Sequence, residues 1–448
     1  MKYLTILALV LLLGILFNAS AFVYSAYLLA FVYLTGKWLT HRWAESLEAV
    51  RSTGQSEVTV GDTIAIGIEI INRSKLPIVW LLMEDFIAKK HTKQPPVSLA
   101  IHGTPLRLFT LAGKSRRFLT YRVTTERRGY YQLGPLIAET GDLFGLYRKY
   151  RVLTHPHYVL VLPRIHPLAG YDVASKRPIG AIRVTYRHME DPTLVSTLRE
   201  YQQGDPIRKI HWRATARTGV LHSKVYEPTC IEGAMLILDL HPDSNPAHHE
   251  PIRTDMAITA AASICHTLYQ IQQPFGILSN GADAIDTIRF EGWESDYRTR
   301  REAFQSVVSH DASQRKRPVH LPLGKGADHF QQCHHLLARL QRHAGLTLSE
   351  LLLESHSQLP RDATLLVLVQ QINDASALAL SLLQRRGYAV AAIINHYESQ
   401  TMDEAAQRLA SHSIPLFHLH DEHSISQVCK QLLFARQAIA SKDTASGR

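Results

Sequence analysis

The sequence predicts a doubly wound α/β domain and an all-β sandwich, carried on an N-terminal two-helix transmembrane hairpin. Three observations lead there. From Tyr3 to Gly36, 34 consecutive residues include no Asp, Glu, Lys, Arg or His. Ile64, Ile66, Ile68 and Ile70 recur at every second position, the period of a strand with one buried face. After Gly233, apolar runs alternate with helical patterns to Ile439, about 200 residues, as a parallel sheet with crossover helices requires.

Length and composition set the frame. At about 150 residues per domain, 448 residues make roughly three units. A hydrophobic fraction of 46% with 20% charged residues is that of a folded chain. Lys and Arg number 49 against 39 Asp and Glu, a net charge of +10, which suits acidic partners. The excess is local: residues 114–227 hold 20 basic and 9 acidic residues, a net of +11. Cys230, Cys265, Cys333 and Cys429 have no CxxC spacing, which excludes a disulfide scaffold and a Cys-rich zinc module.

As one helix the 34 uncharged residues would extend about 51 Å, against a bilayer core of about 30 Å. Two helices broken at Asn18-Ala19-Ser20 fit better, anchored at the interfaces by Tyr3, Tyr33 and Trp38. Lys2 flanks one end and Lys37, Arg42 and Arg51 the other, so the positive-inside tendency places both flanks in the cytoplasm, which requires an even number of crossings. Ala19-Ser20-Ala21 also has the small-x-small pattern of a signal-peptide cleavage site. The second apolar run, Phe22 to Gly36, and the single lysine before the first favour the hairpin.

The expected domains are a hairpin over 1–44, a sandwich over 45–162, a basic segment over 163–228, an α/β domain over 229–440 and a disordered tail over 441–448. In the sandwich, Thr63–Ile70, Pro77–Phe86, Arg117–Thr124 and Gly129–Ile137 read as strands parted by turn signals such as Asn72-Arg73-Ser74. In the α/β domain Ala234–Leu240, Phe275–Ser279, Thr364–Val369, Ala389–Ile394 and Leu416–Leu419 are the strand candidates. Helices are expected over 257–271, near 331–342 and 349–353, after Asp374 as a cap, from a Thr401-x-x-Glu404 capping box, and over 425–439.

Residues 199–217 read Arg-Glu-Tyr-Gln-Gln-Gly-Asp-Pro-Ile-Arg-Lys-Ile-His-Trp-Arg-Ala-Thr-Ala-Arg. This resembles the signature of the bacterial family known as domain of unknown function 58, R-E-Y-x-x-G-D-x-x-R-x-I-x-W-x-x-S-A-R, with Thr215 at the serine. Arg127-Arg128-Gly129-Tyr130-Tyr131-Gln132-Leu133-Gly134-Pro135 and Asp142-Leu143-Phe144-Gly145-Leu146 are similar to the family's R-G-x-Y-x-L-G-P and D-x-F-G-L segments. The resemblance implies two membrane segments and a von Willebrand factor A-like α/β domain. It also implies a partner, because members are frequently encoded beside MoxR-type AAA+ ATPases. No reaction comes with the family.

Arg199, Tyr201, Gly204, Asp205, Arg208, His211, Trp212, Arg213 and Arg217 are the candidate site. Gly204-Asp205-Pro206 is a turn signal, and guanidinium groups can stack on an indole or bind carboxylates bidentately. Two uses fit: a docking face for an acidic partner, or a polar clamp between the domains. For metal, the resemblance implies a D-x-S-x-S site for Mg²⁺. Here Asp239-Leu240-His241-Pro242-Asp243 puts His241 and Asp243 where the serines belong, with Asp374 as a later acid. That site is degenerate and no cofactor is expected.

No G-x-S-x-G, H-E-x-x-H or phosphate-loop spacing occurs. The 25 histidines show no ligand spacing and read as surface. The expected function is a membrane-anchored, non-catalytic adaptor for a MoxR-type ATPase or its client, in envelope protein maturation. The alternatives are a metal-dependent enzyme using Asp239, Asp243 and Asp374, and a basic nucleic-acid-binding membrane protein. The last has no RNP, KH or helix-turn-helix pattern behind it.

Overall fold

The computed structural model describes residues 20–87, 97–166, 190–202, 209–228, 233–286, 317–360, 363–409 and 414–429, with Leu9, Val10 and Leu12. The chain divides into two compact units. The first is Met1–Arg164 with Ala282–Gln314 and His334–Gln341; the second is Ile165–Gly281, Arg315–Cys333 and Arg342–Arg448.

The first unit opens with helix α1 (Ser20–Glu45). It is one described helix long and apolar enough to cross a membrane. Phe22, Tyr24, Tyr27, Leu28, Phe31 and Leu34 are exposed along it. The first arm of the expected hairpin lies outside the described residues, apart from Leu9, Val10 and Leu12. The last turn of α1 has a different character: Thr40, Trp43 and Ala44 are buried, and Trp43 joins the sandwich core. Strand β1 (Leu47–Thr53) follows after one residue. A helix end leaves carbonyls without intrahelical partners; here Arg151 Nη1 donates to the carbonyls of Ala44 (2.7 Å), Glu45 (2.9 Å) and Leu47 (3.1 Å).

The sandwich comprises β1, β2 (Glu57–Thr59), β3 (Thr63–Asn72), β4 (Ile78–Ile87), β5 (Leu99–His102), β6 (Leu106–Leu111), β7 (Arg116–Thr125), β8 (Gly129–Gly141), β9 (Arg148–Val152) and β10 (His157–Leu162). One sheet runs β1-β3-β7-β5 and the other β2-β10-β8-β4-β6, with β9 on β8. Pairing is antiparallel except for β2 with β10. The alternation in β3 is realised: Ile64, Ile66, Ile68 and Ile70 are buried in one cluster with Leu119, Tyr121 and Val123 of β7 and with Leu81, Met83, Leu133 and Val159 of the facing sheet.

That core also buries a charge. Arg51 grips the Asp85 carboxylate with both Nη1 (2.8 Å) and Nη2, and the Tyr121 hydroxyl donates to Asp85 Oδ2. Burial first, and the Asp85 charge second, push the Tyr121 phenol well above its ordinary pKa. Gly134, in the Leu-Gly-Pro segment, adopts φ +90°, and a Cβ there would lie 2.5 Å from Arg51 Nη2. Asp85→Ala strands the Arg51 guanidinium and is expected to cost about 3–5 kcal/mol. Gly134→Ala adds strain and a clash and is expected to cost about 1–3 kcal/mol. Urea midpoints of the full chain in detergent check both; unchanged midpoints would contradict the account.

The second unit begins with a two-stranded ribbon, β11 (Glu190–Glu200) and β12 (His222–Pro228), bracketing α2 (Trp212–Thr218). Its main sheet uses β13 (Ala234–Leu238), β14 (Phe275–Ser279), β16 (Val319–Gly324), β18 (Thr364–Val369), β19 (Ala389–Ile394) and β20 (Leu416–His418), in the order β16-β14-β13-β18-β19-β20. All pairings are parallel except that of edge strand β16. Every residue of β13, β14 and β18 is buried, as strands covered on both faces must be. The helices are α3 (Ile252–Gln270), α4 (Ala327–Arg339), α5 (Leu348–Glu354), α6 (Asp374–Arg385) and α7 (Ser399–Leu409). Short strands β15 (Ala282–Asp283) and β17 (Leu340–Gln341) pair within the first unit.

Two helix starts differ from expectation. The cap of α6 is Asn373, whose side chain accepts from Ser376 N at 2.8 Å, and Asp374 is already helical. Thr401 lies inside α7 with its hydroxyl 3.1 Å from His396 Nδ1, so no capping box forms there. The box sits instead at Thr347 and Glu350, opening α5. Residues 422–429 are helical, whereas the rest of the expected last helix and the 441–448 tail lie outside the described residues.

Candidate functional site

The ribbon organises the candidate motif. Arg199 pairs with Ser223 and Glu200 with His222 across β11 and β12, and Tyr201 N donates to the Leu221 carbonyl at 2.8 Å. His211 is the N-cap of α2, its Nδ1 accepting from Ala214 N at 3.0 Å. Gly219 closes the helix at φ +76°, a left-handed conformation that favours glycine. The Thr215 hydroxyl, at the serine of the family pattern, accepts from His222 N at 3.1 Å and ties the helix to β12.

These residues build the ribbon; others are displayed by it. Helix α2 buries none of its side chains. Trp212 is 63% exposed, and Leu198, Val220 and Leu221 of the same ribbon are exposed too. Arg213 and Arg217 are exposed and stand one helical turn apart, where like charges repel, and neither has an ion-pair partner among the described residues. No cation covers the Trp212 indole among the described residues either. Tyr201 is half-buried and Arg199 exposed. Gly204, Asp205 and Arg208 lie outside the described residues.

The second candidate, the acidic run after β13, is a tightly bonded loop. Asp239 is 3% exposed. Its Oδ1 accepts from Asn280 Nδ2 (2.7 Å) and His241 N (3.1 Å), while Asn280 Oδ1 takes Leu240 N (2.7 Å). Asn245 Nδ2 donates to the carbonyls of Asp239 (3.0 Å) and His241 (2.8 Å). Oδ2 of Asp239 is buried without a hydrogen-bond partner. Burial pushes the Asp239 pKa up, opposed by Asn280, Ser244 and the His241 N–H.

The other two acids do not join it. The Asp243 side chain is 76% exposed, with Oδ2 3.6 Å from His241 Nδ1. The Asp374 side chain is 97% exposed and lies 3.5 Å from Arg408 Nε. Among the described residues no group of three or more His, Cys, Asp or Glu is placed to hold a metal ion. The residues present do not fit a Mg²⁺ site, which needs several oxygens converging on one ion.

Comparison with known proteins follows this geometry. Residues 197–364, which include most of the ribbon and the start of the sheet, match the family described as "Protein of unknown function DUF58". That segment is what this chain shares with the DUF58 family. An uncharacterized protein YeaD of Bacillus subtilis (strain 168) is 22% identical over 241 residues, 53% of this chain and 55% of that protein. The chain thus spans about half the length of this relative. Among solved structures, the CARDB domain of a Pyrococcus furiosus protein covers 26% of this chain and 91% of its own at 15% identity and a TM-score of 0.18. Proximal thread matrix protein 1 of the mussel byssus covers 45% of each chain at 11% identity and 0.28. Scores this low say nothing about the fold.

Sequence reasoning missed Asn280 and Arg253, whose partners lie far along the chain, and Asn245, which bonds within its own loop. It also placed the histidines on the surface, whereas His241 and His396 are buried. The raised Asp239 pKa has a consequence with a definite sign. A carboxyl whose folded pKa exceeds its unfolded value of about 3.9 stabilises the fold at low pH, and that contribution is lost as pH rises through the folded pKa. Asp239→Asn keeps an acceptor for His241 N and removes the titration. It is expected to match the wild type near pH 4 and to exceed its stability at pH 8. Urea midpoints across that range check this; a less stable variant at pH 8 would show that the loop needs the charge.

Proposed function

We propose that this chain is a membrane-anchored, non-catalytic adaptor whose DUF58 ribbon docks an acidic segment of a partner protein. The family resemblance supplies the partner's class: a MoxR-type AAA+ ATPase or its client, at the bacterial inner membrane, with the soluble units in the cytoplasm. On the same reading the β13–β20 sheet is a von Willebrand A-like platform. The anchor is supported by the apolar surface of α1 and by Lys37 and Arg42 at the end nearer the sandwich. Burial of Trp43 and the Arg151 contacts make that end part of the folded unit, a use that fits an anchor better than a discarded leader.

The observation that carries the docking reading is the display of Trp212, Arg213 and Arg217 on a helix that buries nothing. Trp and Arg are the side chains over-represented where interfaces concentrate their binding energy. An arginine fork matches a carboxylate bidentately, and the ribbon also exposes Leu198, Val220 and Leu221. An internal clamp would bury these groups.

The test uses the full chain in detergent and the purified MoxR-type ATPase of the same cell. Charge reversal at exposed positions should leave stability within about 0.5 kcal/mol. Arg213→Glu with Arg217→Glu is therefore expected to weaken ATPase binding at least about tenfold while the melting midpoint stays put. Unchanged binding would contradict the proposal, and loss of the folded state would favour the clamp.

A further inference from the structure

The second unit buries a cation that no described carboxylate contacts, although the charge of Asp421 acts on it from farther off. Arg253, in the first turn of the 19-residue helix α3, is 0% exposed. Its Nη1 is occupied: it donates to Asn395 Oδ1 (3.2 Å) and the Leu419 carbonyl (3.3 Å), and contacts Met256 Sδ (3.1 Å). Asn395 returns a bond from Nδ2 to the Arg253 carbonyl at 2.7 Å. This end of the guanidinium joins the start of α3 to the chain leaving β19 and β20. The opposite edge does something else. Nε and Nη2 are both buried and, among the described residues, both without a hydrogen-bond partner.

Those two nitrogens are adjacent on the guanidinium plane, and together they form the edge that receives two oxygens of a carboxylate or phosphate side by side. The carboxylates of this region bond to other groups rather than to the guanidinium, although Asp421 acts on it at longer range. Glu250 Oε2 accepts from Thr254 N at 3.2 Å and its other oxygen from Gln370. Asp421 Oδ1 accepts from Ser424 N at 2.8 Å. No carboxylate among the described residues is within ion-pair range of Arg253. Over the guanidinium face lies the Tyr397 ring, its centroid 3.3 Å from Cζ, a cation–π contact that offsets part of the desolvation. His249 stands beside Tyr397 (centroids 5.5 Å apart) and edge-on to His396 (4.8 Å). Tyr397 itself is 39% exposed.

Three independent features then agree. The unpaired fork sits at a helix N-terminus, where the macrodipole favours negative charge. It lies at the carboxyl ends of β19 and β20, where open α/β sheets take their ligands. Imidazoles and a phenol surround it, able to complete the hydrogen bonds of a small anion. We infer that the Nε–Nη2 edge of Arg253 is the receptor for a small oxyanion, a carboxylate or phosphate group, with Tyr397 and His249 as its movable cover. The site is independent of the docking ribbon and survives if that reading fails.

Isothermal titration of the full chain in detergent, with inorganic phosphate and separately with acetate in sodium chloride of matched ionic strength, tests it. Saturable binding of at least one ion is expected, and the pair of titrations tells phosphate from carboxylate preference. Tyr397→Ala removes the cover and is expected to tighten binding at least about threefold. Arg253→Lys keeps a cation but loses the fork and is expected to weaken it at least about tenfold. Absence of saturable heat for both ions in wild type and Tyr397→Ala overturns the inference, as does unchanged affinity in Arg253→Lys. If Arg253→Lys does not fold, equal affinity of wild type and Tyr397→Ala overturns it by itself.

Discussion

The join between α1 and the sandwich is the constraint on which the first unit depends. An α-helix and a β-sheet satisfy their backbone hydrogen bonds in different ways, so the passage from one to the other leaves groups to be paired. Here one residue separates the two. The carbonyls that the helix end leaves unpaired are gathered by one guanidinium, Arg151 Nη1, from β9, whose charge also suits the negative end of the helix. Trp43 is then held at 2% exposure inside the sheet core. Gly36 is needed one stage earlier, because a Cβ there would reach to 3.0 Å from the Asp142 Cβ.

The same logic explains the 127–135 and 142–146 segments, which carry no chemistry of their own. Asp142 opens a tight loop by accepting from Tyr147 N (2.7 Å) and Phe144 N (3.2 Å), with Gly145 at φ +69°. The Tyr131 hydroxyl donates to the carbonyls of Arg127 (3.0 Å) and Arg128 (3.1 Å), folding its own segment back. Gly134 leaves room for the buried Arg51–Asp85 pair. In each segment the recurring residue types serve the backbone. The 199–217 motif departs from this: His211 and Thr215 serve the backbone, whereas Trp212, Arg213 and Arg217 are left facing solvent.

Much of the fold was legible because period is a local property. The isoleucines of β3 and the all-apolar β13 and β18 announced themselves, and the structure buries them as their spacing requires. Caps were less legible. Asn373 and Asp374 are both good caps, and the choice fell to the residue with extended backbone, Asn373 at ψ 169°. The Thr401–Glu404 spacing misled because α7 begins at Ser399 and His396 claims the Thr401 hydroxyl. Contacts across the sheet were not legible at all. Asn280 meets Asp239 from 41 residues away, and Arg253 meets Asn395 from 142. A strand ending in Asp suggested a metal ligand; a distant asparagine turned it into the centre of a loop lock.

The central claim is that the face around Trp212 meets a protein. A photo-crosslinking amino acid at position 212, activated in intact membranes with the chain otherwise unaltered, tests it most directly. The account predicts one discrete adduct, with the crosslinked peptide rich in Asp and Glu and belonging to another protein. Adducts confined to lipid, or to this chain's own residues, would contradict it.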